Sequence, residues 1–268
     1  LLGALAVQAD GFERAQADID KLNLNSLRLA VEDLGKAFPD TYQGGAEFLA
    51  AILAFEKELP AVKQALASGD KTALSAFTRF ENLQRTALLA NPLLNFDRLL
   101  LVKRDPKNLG LPQNWQGNCA LSRSGYDNEI AVLSPVCPTG KLTSLYKPDG
   151  TKFVGDVELN FDADKMLFSS LGTQNRWHVF EVDAAGKNLR QLTPHEPDVD
   201  CYDPCYLPDG RILFASTACF AGVPCVGGGN TVANLYRMDA DGRNIRQLCF
   251  DQDHNWCPTV MNDGRVLY

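Results

Sequence analysis

Val182-Asp183-Ala184-Ala185-Gly186-Lys187-Asn188-Leu189-Arg190-Gln191-Leu192 recurs as Met238-Asp239-Ala240-Asp241-Gly242-Arg243-Asn244-Ile245-Arg246-Gln247-Leu248, and this repetition decides the fold. A second phrase travels with it. Leu207-Pro208-Asp209-Gly210-Arg211-Ile212-Leu213-Phe214 is echoed by Met261-Asn262-Asp263-Gly264-Arg265-Val266-Leu267-Tyr268 and, more loosely, by Phe161-Asp162-Ala163-Asp164-Lys165-Met166-Leu167-Phe168. The three copies of this phrase begin 46 and 54 residues apart. A period in that range, with several short strands per unit, predicts a β-propeller.

Each phrase maps onto part of a four-stranded antiparallel blade. Tyr206-Leu207, the Pro-Asp-Gly turn and Arg211 to Phe214 make an inner hairpin, while Asn234 to Met238, the Asp-Ala-Asp-Gly turn and Asn244 to Leu248 make an outer one. Glycine after aspartate suits such turns because it accepts positive φ without steric penalty, so these Asp-Gly pairs are structural and not calcium ligands. Alternating strand direction then places the hairpin turns on one face. The loops over residues 170–176, 194–203, 217–231 and 250–256 fall on the other.

Upstream the texture differs. From Asp10 to about residue 94 the chain is rich in Ala, Leu, Glu and Lys, with apolar residues at helical spacing: Leu22, Leu24, Leu27 and Val31, then Phe48, Ile52 and Phe55, then Leu74, Phe77, Phe80, Leu83 and Leu88. The expected organisation is a signal-peptide remnant over 1–9, a helical domain over 10–94 and a propeller over 95–268 that ends within a blade. The expected fold class is mainly β, a partial propeller of six blades when complete, with an α-helical domain before it.

Composition narrows the function. The 268 residues are 45% hydrophobic, enough for a full core, and the formal net charge of -7 leaves no basic stripe for nucleic acid. No apolar run approaches the roughly 20 residues needed to span a bilayer. Leu1 to Ala9 reads as the end of a secretory signal cleaved after Val7-Gln8-Ala9, and eight cysteines suit an oxidising compartment, so a periplasmic or secreted location is expected.

The loop face gathers the chemistry-bearing residues. His195, Asp198, Asp200, Asp251, Asp253, His254 and Trp256 are the candidate binding residues. Proximity in sequence suggests the pairs Cys119/Cys137, Cys201/Cys205, Cys219/Cys225 and Cys249/Cys257, among the 105 pairings that eight cysteines allow. A metal held by His195, Cys201, Cys205, His254 and Cys257 is the competing reading, and calcium on Glu196, Asp198, Asp200, Asp203, Asp251 and Asp253 a third. Trp177, Tyr202 and Trp256 are aromatics for stacking on a sugar or peptide, or for blade packing. Nucleophile elbows, phosphate loops, His-Glu-x-x-His and Cys-x-x-Cys-His are absent from the sequence. His254 is expected to be dispensable for folding.

Asp203 to Ser216, together with the outer phrase ending Arg190-Gln191-Leu192-Thr193, resembles the repeats of TolB-type propellers. The strings Phe161 to Phe168, Tyr206 to Phe214 and Gln252-Asp253-His254-Asn255-Trp256-Cys257-Pro258 resemble the middle-domain family of the hydrazine synthase alpha subunit. The resemblance runs from about Asn95 to Tyr268 and implies an exported binding and scaffold module that docks a protein partner or a following domain, with no cofactor in this stretch. Two alternatives follow from it: a redox enzyme whose c-type haem lies in a domain beyond residue 268, and a propeller gate for a peptidase domain.

Overall fold

The computed structural model describes residues 11–113 and 115–268, so the signal-remnant reading of 1–9 lies outside the described residues. The chain divides into two compact units, the first ending at Asp97 and the second running from Arg98 to Tyr268.

In the first unit a helical segment over 11–18 precedes α1 (Leu24–Ala37), α2 (Gly45–Ala67) and α3 (Ala73–Leu89). Asn23 caps α1 by accepting the Ser26 N–H, and Gly44 enters α2 with φ 83°. Ahead of α3 the Asp70 carboxylate accepts the Thr72 N–H and hydroxyl, forming a turn. Leu27, Val31, Ile52, Phe55, Phe77 and Phe80 close the core, with the Phe55 and Phe80 rings stacked 4.8 Å apart. The spacings read from sequence thus fall on buried or partly buried helix faces, except that Leu88 is exposed and Ala87 takes the core position beside it.

The second unit is a series of antiparallel meanders. β1 (Leu99–Lys103), β2 (Glu129–Ser134) and β3 (Lys141–Tyr146) form a three-stranded sheet. β4 (Val154–Leu159), β5 (Lys165–Leu171), β6 (Trp177–Asp183) and β7 (Arg190–Gln191) form the first complete blade. β8 (Cys201–Tyr206), β9 (Ile212–Ser216), β10 (Asn234–Met238) and β11 (Arg246–Gln247) form the second, and β12 (Thr259–Val260) pairs with β13 (Val266–Leu267) after it. Both hairpins read from the repeats occur where the turn chemistry puts them.

Consecutive sheets pack face to face. Met166 and Phe168 of β5 point into one core with Ile130 and Val154, whereas Leu167 points into the next with Ile212 and Phe214 of the second blade. Leu213 and Leu235 then meet Val260 and Val266 of the last hairpin. Because each complete blade is covered on both faces, its second strand is buried at nearly every position, which is why two of the repeats carry Met-Leu-Phe and Ile-Leu-Phe rather than an alternating pattern, whereas Leu267 and Tyr268 of the third triplet are exposed. A polar staple reinforces the first inter-blade seam: buried Glu181 accepts hydrogen bonds from Arg190 and, across the seam, from the Tyr206 hydroxyl at 3.0 Å.

The turn glycines serve the stacking as well as the turns. A Cβ on Gly186 would lie 2.4 Å from the Leu145 carbonyl oxygen, and one on Gly242 would lie 2.3 Å from that of Leu192. Each outer turn therefore rests on the backbone of the preceding sheet. Gly210, at φ 84°, has open space around it. Gly210→Ala should cost about 1 kcal/mol from the left-handed backbone alone, whereas Gly242→Ala should cost about 2–4 kcal/mol because the clash is added. Urea melts of the two variants check the difference.

Candidate functional site

On the loop face the acidic residues are engaged by neighbouring side chains and backbone N–H groups, with Arg176 reaching both Asp198 and Asp200. Asp200 is buried, takes a bidentate pair of 3.0 Å hydrogen bonds from Arg123, and accepts the Trp177 N–H at 3.0 Å. Asp198 pairs with Arg176. Asp251 accepts from the Asn255 amide, and Asp253 accepts the His254 N–H. The calcium reading fails on this geometry, since these carboxylates, with Glu196 and Asp203, do not converge.

The histidines and cysteines do not converge either: among the described residues no group of three His, Cys, Asp or Glu could hold a metal ion. His195 lies beside His178, at 6.5 Å between ring centroids, while His254 stacks on Trp256 at 5.4 Å. His254 is buried, and its Nδ1 accepts the Ala233 N–H at 3.2 Å. Nε2 then carries the ring proton, and burial pushes the pKa down. This histidine holds the loop to the start of β10, contrary to the expectation that folding does not need it. Trp177 and Tyr202 are fully buried and serve packing.

Cys201 and Cys205 are strand residues of β8 and thiols, not loop cysteines. Their partners on β9, Ser216 and Leu213, are three residues apart, which puts them about 10 Å from each other, beyond a disulfide's reach, and they enter different cores on opposite sides of the blade. That pairing is excluded. Cys119, Cys219, Cys225, Cys249 and Cys257 are also thiols. Cys119 lies 3.4 Å from the Tyr202 hydroxyl, Cys219 3.3 Å from the Val232 carbonyl and Cys249 3.6 Å from the Tyr268 hydroxyl. Cys137 lies in the β2–β3 turn, 3.2 Å from the Thr139 hydroxyl.

A different cluster forms where the first strands of successive sheets meet. β4 is bulged between Gly155 and Glu158, and β8 between Tyr202 and Cys205. The bulge residues are Asp156 at φ 51° and Asp203 at φ 50°, and the position one repeat later is Cys257 at φ 42°. Positive φ turns all three toward a cavity of about 220 Å³, lined also by Glu158, Pro204 and Pro258. Asp156 accepts from the Asn118 amide at 2.5 Å and from Ser169, whose hydroxyl oxygen in turn accepts the Asp203 N–H at 3.0 Å. The Cys257 N–H donates to Asp203 Oδ2 at 3.2 Å.

Burial pushes the Asp156 carboxyl up, and burial together with the neighbouring Asp156 carboxyl pushes Asp203 up to about 8. Burial raises Glu158 too, and at Cys257, which is partly exposed, local desolvation with the Asp203 and Asp156 carboxyls raises the thiol to about 11. Asp203 was a loop-face candidate by sequence, and Asp156 was not a candidate at all. The signal that could have found them is alignment: Gly155-Asp156-Val157, Tyr202-Asp203-Pro204 and Trp256-Cys257-Pro258 occupy one repeat position.

No protein-family model and no curated protein matches the chain. Among solved structures it is similar to a putative TolB from Agrobacterium tumefaciens, at 15% identity and a TM-score of 0.39, covering 61% of this chain and 49% of that one. It is also similar to TolB from Acinetobacter baumannii, at 16% identity and 0.39, covering 68% and 51%. An oligogalacturonate lyase in complex with manganese gives 14% identity and 0.41, covering 63% and 42%. The chain thus spans about half the length of the structures it matches. No helix among the described residues is long and apolar enough to cross a membrane.

Two substitutions test the structural roles assigned on the loop face. Asp200→Ala leaves Arg123 and the buried Trp177 N–H without their acceptor and should destabilise the chain by about 3–5 kcal/mol. His254→Ala should cost about 1–3 kcal/mol, because the Ala233 N–H loses its acceptor in a buried place. Denaturant melts near neutral pH read both.

Proposed function

We propose that the chain is an exported TolB-like propeller module, a binding scaffold that docks a protein partner or a following domain through its loop face. The observation that carries this reading is a mainly apolar recess of about 270 Å³ beside the loop between the two complete blades, lined by Pro194, Pro197, Val199, Phe214 and Phe220, with Glu196 as its charged group, and extending to Tyr236 and Ile245 of the second blade. Phe220, 70% exposed, stands at it on the loop between β9 and β10, and Phe250, on the next loop of the same face, is 79% exposed. Large aromatic side chains left in water beside an apolar recess cost solvation that a partner recovers, which is the usual reason for such patches.

The loop acids support this reading in a second way. With Asp200, Asp251 and Asp253 fixed by local hydrogen bonds, the loops are stiff platforms, so docking would order few side chains.

A photoreactive amino acid at Phe220 of the full chain, in its native extract, should give a discrete crosslinked species. The same probe at Leu189, exposed in an outer turn on the opposite face, should give none. Equal labelling at both positions, or none at Phe220, would overturn docking through the loop face.

A further inference from the structure

The cavity between the first strands holds a device that partner docking leaves unused. Asp203 is buried, while Asp156 sits deep with the cavity as its contact with water, and the two carboxyl groups lie within hydrogen-bonding reach of each other. They come from β4 and β8, the first strands of adjacent blades. Two carboxylates at that separation only repel, whereas a carboxylic acid donates to a carboxylate. We infer that Asp156 and Asp203 share one proton that ties the first strands of neighbouring blades together, and that losing this proton in alkaline solution loosens the seam.

The surroundings fit a singly charged pair. Arg104, just beyond β1, acts on Asp156 as the cation, and Asn118 and Ser169 donate to it. From the other sides come acids alone: Glu158 of β4, Tyr202 and Cys205 of β8, and Cys257, whose N–H is the one backbone donor on Asp203. One negative charge is matched by Arg104. A second has no cation to meet it.

The sign of the pH dependence follows. An unfolded chain ionises its aspartates near pH 4, but the folded pair keeps a proton until about pH 8. Folding therefore takes up a proton between these limits, and stability falls as pH rises through that window, then levels off. His178 and His254, whose pKa values burial lowers, still shed protons from the unfolded chain around pH 6.5, which raises stability with pH and opposes the pair there. The raised thiols, with Cys205 and Cys257 near 11, begin to act where unfolded thiols ionise, from about pH 8.5. The difference in slope between the unaltered chain and a variant without the shared proton therefore isolates the pair.

The test is the unfolding equilibrium of the full chain at successive pH values. The unfolding constant should rise up to about tenfold per pH unit from pH 6.5 to 7.5. Asp203→Asn, which keeps a donor toward Asp156 and removes the shared proton, should hold that rise below about twofold. Equal slopes in the two proteins would overturn the proposal. Should the variant not fold, infrared titration of the unaltered chain and of Glu158→Gln decides. Both should show a protonated-carboxyl carbonyl band at pH 7 that disappears through pH 8; a band missing at pH 7, or lost with Glu158→Gln, would overturn it.

Discussion

The structure depends on the burial of each blade on both faces. A meander with one wet face alternates apolar and polar residues, but β5 and β9 are buried at nearly every position because sheets cover them on either side. Fully burying a Leu or Phe side chain stabilises by about 1.5–3 kcal/mol, and β5 and β9 deliver such side chains to two cores at once. No blade can be stable alone under this constraint. Its neighbours are part of its core, as in other repeat architectures.

The polar features follow from the stacking. Sheets must approach closely, so the outer turns rest glycines on the carbonyls of the sheet before. Any polar group caught in a seam must find its partner there. Glu181 does so with Arg190 and Tyr206, and its pKa falls below the ordinary carboxylate value: burial pushes it up, but the hydrogen bonds and the charges of Arg190 and Lys165 outweigh that push. Asp200 does so with Arg123 and the Trp177 N–H. Both carboxylates were conspicuous as charges in the sequence, and both are structural.

This explains what was legible beforehand. Turn chemistry is local, so Asp183 to Asn188 and Asp239 to Asn244 announced their hairpins. Helical spacing placed Ile52, Phe55, Phe77 and Phe80 in the core for the same reason. The site was harder to read, because a loop aspartate that accepts the next residue's N–H, as Asp253 does, looks in sequence like a ligand. Cys201 and Cys205 looked like loop thiols because the bulge at Asp203-Pro204 disguises the strand that carries them. Asp156 gave no signal within its own segment, since its role arises only when the neighbouring blade brings Asp203 beside it.

That juxtaposition is a consequence of repetition itself. Stacked repeats set equivalent positions side by side, so a residue type written twice at a bulge meets its own copy across the seam. For a leucine this is packing; for an aspartate it is a like-charge contact in a place poor in water. Holding a residue at positive φ adds a backbone cost of about 1–3 kcal/mol at each bulge. The chain answers the charge problem in two ways. Arg104, Asn118 and Ser169 compensate Asp156, and at the third equivalent position, where another carboxyl would set a further like charge against Asp203, it carries the thiol of Cys257, which stays neutral and offers Asp203 its backbone N–H.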